Sequence, residues 1–247
     1  MQSIPEWAAK FYELYSAPYL PGSEAAKARV ESGLPRILKH LPKKGSKVLD
    51  LCCGAGAYLF PLERKGYQMT GLDIQPSMIN RARREAKKVK SRAKLVVGDA
   101  KALRFPDESF DAIVFLGAPF GHFSMEEFNR IAEGAFRILK HRGTVVAEVN
   151  DHVALFLSGM YQRILYEPYG NEDALSIHSR YDSDEGTFNR LFLDLAKGRR
   201  FKGSFRIWTP WILNYIMKRV GFTLKASEPG SFGGFTRFMA YKKPCDC

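Results

Sequence analysis

Cysteine is scarce. The 247 residues contain 4, and none stands in a CxxC pair or at Cys/His zinc spacing. Cys52 and Cys53 are adjacent, and Cys245 and Cys247 sit near the end of the sequence. A disulfide framework and a zinc module are therefore excluded, and no metal is expected. Apolar runs are short. None reaches the roughly 18–20 residues needed to cross a bilayer, so no membrane partner is expected. Met1 to Trp7 lack the basic segment and apolar stretch of a secretory signal, which makes the cytoplasm the expected compartment. Asn and Gln are few, a bias shared with heat-adapted proteins. Acidic residues are in the minority: 26 Asp and Glu against 38 Lys and Arg give a net charge of +12. A basic balance fits nucleic acid, an acidic small substrate, or solubility alone.

Apolar residues make up 45% and charged residues 26%, which fits a soluble globular chain and excludes fibrous and disordered classes. The length fits one domain with its own core. Much of the positive charge falls in one block, Arg81, Arg83, Arg84, Lys87, Lys88, Lys90, Arg92 and Lys94, opposed only by Glu85. Such a block reads first as the solvated face of a helix.

Residues 1–42 read as a helical cap. Phe11, Leu14 and Tyr15 share a face of a short helix ended by Pro18 and Pro21. A second helix runs from Ser23, its N-cap, to Leu41, with Pro35 kinking or dividing it. Residues 43–150 carry the most regular pattern. Short β-branched runs at Lys47–Cys52, Gln68–Ile74, Lys94–Val97, Phe110–Leu116 and Thr144–Val149 alternate with helices at Ala57–Lys65, Pro76–Ser91 and Met125–Lys140. This rhythm predicts an α/β fold with a doubly wound parallel sheet, covered on both faces. After Asn150 the rhythm changes. A helix over Asp151–Tyr169 and strands at Ile177–Tyr181, Thr187–Leu195 and Arg200–Ile207 read as an inserted antiparallel β unit, spanning 151–207 and expected to serve as a substrate lid. A helix over Pro210–Val220 and two strands, Phe222–Ala226 and Thr236–Tyr241, close the chain over 208–247.

The informative stretch is Val48-Leu49-Asp50-Leu51-Cys52-Cys53-Gly54-Ala55-Gly56. It lies on a strand end and turn leading into a helix, at the carboxyl edge where α/β sheets bind ligands. Gly54 and Gly56 let the backbone approach a ligand. Asp73 ends the second strand, where an acid accepts hydrogen bonds from ribose hydroxyls. A dinucleotide fingerprint would need a third small residue, and that position is Leu59. Asp50, four residues before Gly54, would repel a pyrophosphate and suits a positively charged cofactor.

With these residues the chain resembles the class I S-adenosylmethionine-dependent methyltransferases. DLCCGAG is similar to their first motif, D/E-x-x-x-G-x-G, in Asp50, Gly54 and Gly56, with Ala55 between them. GLDIQPSMI resembles the second, with Asp73 as the ribose acid, Ile74 against adenine, and Met78 in the same cofactor set. VVGDA resembles the third, with Asp99 meeting the adenine amino group beside the Ala100 backbone. FDAIVFLGA resembles the fourth strand, whose end reaches the methionine moiety at Leu116 and Gly117. The turn before strand five, Lys140-His141-Arg142-Gly143, departs from the usual K-P-G-G form. The resemblance covers about residues 45–150 plus the terminal helix and strand pair. It implies a seven-stranded Rossmann-like mixed sheet whose last strand is antiparallel. It further implies S-adenosyl-L-methionine as cofactor, S-adenosyl-L-homocysteine as product, and an N-terminal helix that closes over the cofactor, bringing Tyr15.

The methyl acceptor is less legible. In-line methyl transfer needs alignment and a dry pocket, and a base only where the acceptor must lose a proton. The expected base is His122, with His152 and His178 behind it. Phe120, Phe123, Asn150 and Arg180 are the expected acceptor contacts, with Arg190 as a second cation. The stretch Ala118-Pro119-Phe120-Gly121-His122-Phe123 is aromatic and uncharged, which favours an enclosed small molecule. RNA is the alternative, resting on net charge, although no RNA-binding module or RNP signature is present. A catalytically silent cofactor-binding protein is a third class, which the intact motif acids oppose. Oligomeric state is left open.

Overall fold

The computed structural model describes residues 6–14, 20–169, 172–230 and 235–245. Its main sheet contains β1 (Lys47–Leu51), β2 (Gln68–Asp73), β3 (Lys94–Val97), β4 (Phe110–Phe115), β5 (Leu139–Asn150), β10 (Thr223–Pro229) and β11 (Thr236–Lys242). The strand order is β10-β11-β5-β4-β1-β2-β3. The first five strands pair in parallel, while β11 runs antiparallel between β5 and β10. The mixed sheet therefore has the antiparallel closing strand that the motif order implies. β1 and β4 lie at its centre and are covered on both faces, so KVLDL and FDAIVF read as nearly continuous apolar runs.

Two helical layers cover the sheet. On one face α2 (Glu24–Leu38), α3 (Leu59–Arg64) and α4 (Pro76–Val89) bury Ile37, Leu59, Leu62 and Ile79. On the other, α5 (Met125–Ile138) and α7 (Pro210–Val220) bury Phe128, Ile131, Leu213 and Ile216. Ser23 caps α2 by accepting from the Ala26 N–H at 3.1 Å. Pro35 does not divide α2; it is exposed, and the carbonyl it leaves free lies at exposed Glu31, where water can satisfy it. α4 buries Met78, Ile79 and Ala82 and turns its basic side outward. α5 starts with a full capping box between Ser124 and Glu127.

A second sheet is antiparallel and meanders in chain order through β6 (Ile164–Tyr169), β7 (Glu172–Asp182), β8 (Thr187–Asp194) and β9 (Arg199–Arg206). The helix expected over Asp151–Tyr169 is confined to α6 (His152–Leu157). Ser158 terminates it, receiving a bond from the Met160 N–H, and Gly159 takes a left-handed φ of 72°. The chain then enters β6, an edge strand on which Pro168 is tolerated. The short helix α1 (Glu6–Leu14) lies on β9: a Cβ at Gly203 would come within 2.8 Å of the Trp7 ring. Among the described residues no helix is long and apolar enough to cross a membrane.

Candidate active site

Strand order reverses between β1 and β4, and the crevice this creates at their carboxyl ends is the natural ligand site. A cavity of about 500 Å³ opens there. Asp50 is buried at its base. Burial, and then the charge of Asp73, push its carboxyl well above the ordinary range. No described residue pairs with it, so an entering cation would find a receptive carboxylate. After β1 the chain turns sharply, with left-handed φ at Cys52 and Gly54. The Gly54 N–H donates to Asp73 Oδ2 and the Gln75 N–H to Oδ1, both at 2.9 Å. Burial raises the Asp73 carboxyl, and these two bonds only partly oppose it. Cys52 and Cys53 are held as thiols, because burial and the neighbouring acids push both well up.

The two motif glycines do different work. A Cβ on Gly54 would meet nothing within 4 Å, and Gly54 lines the cavity. A Cβ on Gly56 would instead lie 2.6 Å from the Phe60 ring, with φ at 92°. The sequence placed both against the ligand; Gly56, like Ala55, is not on the cavity wall. Gly54→Ala should lower affinity for S-adenosylhomocysteine about tenfold, since a methyl group enters the open space, and should cost about 1 kcal/mol of stability because alanine must hold the left-handed φ of 54°. Gly56→Ala should cost about 1–3 kcal/mol of stability through overpacking. Calorimetry and urea unfolding of the pair check this, and equal effects of both variants on binding would contradict it.

Ile74, Met78, Asp99 and Ala100 form one stretch of wall, and Leu116 and Gly117 another. Asp99 accepts from the Lys101 N–H at 2.9 Å. Gly117 and Ala118 both take left-handed φ, 87° and 51°. Fully buried Glu148 of β5 pins this turn: its Oε2 accepts from the Gly117 N–H at 3.0 Å and from Arg29 of α2 at 3.0 Å. Sequence reasoning missed this pair. Its one visible signal was an acid inside the apolar run TVVAEV.

The side of the cavity bordered by α1 and the end of β9 is aromatic. His122 and Phe123 line it from the turn after β4, and Trp7 and Tyr12 from α1. Tyr12 Oη is 3.0 Å from His122 Nε2, and Trp7 stacks on the imidazole with centroids 5.5 Å apart. This packing desolvates His122 and pushes its pKa down to about 4. Three expected acceptor contacts lie off the wall. Phe120 is a core residue packed on Phe115, Phe128 and Trp208, because the 3-10 turn Pro119–His122 points its ring inward. Asn150 is paired with Thr236 in the sheet. Arg180 is exposed on β7, 3.9 Å from Asp182. Tyr15 lies outside the described residues. His152 is structural, bonded to the Trp208 backbone, and His178 bonds the Tyr161 hydroxyl at 2.7 Å. Arg190 bonds Ser176 and sits 4.9 Å over the Phe192 ring. The mouth is more charged than its sequence implied, with Lys101, Glu126, Glu127, Arg130 and Arg206 on the wall. No Lys or Arg of the basic block Arg81–Lys94 reaches the cavity. Among the described residues no His, Cys, Asp and Glu cluster could hold a metal ion.

A family model described as a methyltransferase domain matches residues 48–143, the segment that builds this cavity from β1 to β5. The chain carries a methyltransferase domain of the class I S-adenosylmethionine-dependent type. This methyltransferase is 29% identical over 171 residues to a demethylmenaquinone methyltransferase of Staphylococcus epidermidis, covering 66% of this chain and 69% of the relative. It superposes on the PH0226 protein of Pyrococcus horikoshii with a TM-score of 0.77 and 27% identity, over 95% and 98% of the two chains. It also shares its fold with S-adenosylmethionine-bound CalS10, an amino pentose methyltransferase of Micromonospora echinaspora, at a TM-score of 0.65 and 18% identity over 98% and 99% of the chains. The methyltransferase uses S-adenosylmethionine. The cavity suits it: Asp50, which no described residue pairs, offers a seat for positive charge, and Gly54 leaves open room.

Proposed function

We propose that this enzyme methylates a small molecule held on the aromatic side of the cavity, among Trp7, Tyr12, His122 and Phe123. The observation that carries the reading is the enclosure. α1 and β9 border the cavity of about 500 Å³ and cover its aromatic side, which favours a small acceptor bound beside the cofactor. The S. epidermidis relative is named for a small-molecule acceptor, demethylmenaquinone. The RNA alternative draws less support. The basic block faces away from the cavity, and the charges at the mouth are of mixed sign, with Lys101 bonded to Glu127 and Arg130 to Glu126.

When bound, the cofactor supplies an electrophilic methyl group on a sulfonium. The chain's own residues bind, align and exclude water. Asp73 takes the ribose hydroxyls, and Ile74 and Met78 take the adenine face. Asp99 takes the adenine amino group with the Ala100 backbone beside it, and Asp50, Gly54, Leu116 and Gly117 take the methionine portion. His122 accepts the acceptor's proton, oriented by the Tyr12 hydroxyl. Transfer of labelled methyl into a cell extract tests the reading. The label is expected to survive ribonuclease and pass a small-molecule filter; retained, ribonuclease-sensitive label would overturn it in favour of RNA.

The role of His122 carries its own prediction. A pKa near 4 leaves the imidazole neutral and proton-accepting from pH 5 upward. The acid limb of kcat/KM should therefore fall near pH 4, not near the ordinary 6.5. His122→Gln should lower kcat by about 10²-fold or more. The same shift has a stability consequence. Between pH 6.5 and 4 the unfolded chain binds a proton that the folded one excludes, so stability falls as pH falls through that window. A wild-type acid limb at 6.5, or an unchanged kcat in the variant, would remove His122 from the mechanism.

A further inference from the structure

The cavity wall carries a cation that the fold does not use. Lys101 is spent on Glu127, 3.1 Å away, and Arg130 is paired with Glu126 one turn back on α5. Arg29 is bound to Glu148. Arg206, the last residue of β9, also lines the cavity and is half-buried. Among the described residues no hydrogen bond or ion pair holds its guanidinium. Glu127 lies within its field, but its carboxylate is turned to Lys101 through Oε1 and to the Ser124 N–H through Oε2, and stands beyond ion-pair distance of the guanidinium. A partly desolvated guanidinium without a partner is costly to keep, and its position gives the cost a purpose.

Arg206 enters from the second sheet and not from the strand ends that build the cofactor side. Its neighbour Phe205 packs on Trp7 at 4.8 Å and on His122 at 5.3 Å between ring centroids. The Arg206 backbone passes Gly121, one residue before His122. The charge thus stands beside the aromatic wall that would receive the acceptor. Once Lys101 and Arg130 are neutralised by their glutamates, one positive charge remains among these five side chains. That matches a single carboxylate, which a guanidinium fork can grip with two parallel bonds. Flat aromatic faces on Trp7, Tyr12 and His122 match a planar ring.

We infer that Arg206 binds a carboxylate carried by the methyl acceptor, so that the acceptor class is a planar ring acid. The inference rests on the reading of the aromatic side as a small-acceptor site and names what that site selects.

The probes are 2-naphthoate and its neutral counterpart 2-naphthamide, titrated by calorimetry into enzyme saturated with S-adenosylhomocysteine. The wild type should bind the acid at least about tenfold more tightly than the amide. Arg206→Met should erase that preference and leave S-adenosylhomocysteine affinity unchanged, which also reports that the variant is folded. Arg206→Lys should keep part of the preference. Equal binding of the two probes, no binding of either, or a preference that survives in Arg206→Met would overturn the inference. So would a loss of S-adenosylhomocysteine affinity in Arg206→Met, which would reassign the guanidinium to the cofactor's own carboxylate. The underlying small-acceptor reading fails by a different result, ribonuclease-sensitive label, so the two failures are distinguishable.

Discussion

Replacing Glu148 with alanine is expected to cost about 3–5 kcal/mol of folding stability, the loss typical of breaking a buried ion pair from one side. The Glu148 side chain has no exposed surface and that of Arg29 only 7%. Removing the carboxylate takes from the buried guanidinium the acid that sits 3.0 Å away and frees the Gly117 N–H from its bond to Glu148. Two consequences should separate. Glu148→Gln keeps an oxygen for Gly117 but removes the negative charge that faces Arg29, so it should recover only part of the loss. The double variant Arg29→Met, Glu148→Leu removes both buried charges together and should recover more. Urea unfolding of the three proteins gives the comparison. An unfolding midpoint for Glu148→Ala equal to that of the wild type would show that the pair holds nothing. Because Gly117 and Ala118 both sit in left-handed backbone beside the cavity, Glu148→Ala should also weaken cofactor binding in whatever fraction remains folded.

That pair also marks the boundary of what the sequence could convey. The parallel core was legible because β1 and β4 are buried on both faces and so have to be apolar throughout, and because helices of the right length separate the strands. Asp50, Gly54, Asp73 and Asp99 were legible because each is a fixed number of residues from a strand end. Arg29 and Glu148 lie 119 residues apart, and their contact depends on how α2 settles over β5, which no local spacing encodes. The same limit explains Arg206. Its neighbours Arg199 and Arg200 look alike in sequence, and only the register of β9 against α1 and the 119–122 turn selects one of the three for the cavity. Phe120 and Phe123 show the effect at shorter range: they are three residues apart in one aromatic stretch, yet a single 3-10 turn sends the first into the core and the second to the wall. The helix expected over 151–169 failed because helical periodicity there is interrupted by Ser158 and Gly159, a stop that outweighed the apolar pattern on either side.

Asp73→Ala should weaken S-adenosylhomocysteine binding by about 1–3 kcal/mol, roughly fivefold to 150-fold, as expected when a pair of charge-assisted hydrogen bonds to ribose is lost. The geometry argues for more than removal of one contact. Each Asp73 oxygen already receives one backbone N–H, from Gly54 and from Gln75, and a carboxylate oxygen has a second lone pair to offer a hydroxyl. The side chain therefore shapes the glycine turn and binds the sugar with the same two atoms. An asparagine in its place would be no substitute, because the amide nitrogen would face one of the two N–H donors. Asp73→Asn should accordingly lose nearly as much affinity as Asp73→Ala. Stability should respond less than affinity. The two freed N–H groups border a cavity that water can enter, and removing Asp73 relieves the charge that helps to raise the Asp50 carboxyl. Calorimetry on folded protein decides the matter: S-adenosylhomocysteine bound by Asp73→Ala as tightly as by the wild type would remove Asp73 from the cofactor site, and affinity retained by Asp73→Asn alone would show that one oxygen suffices.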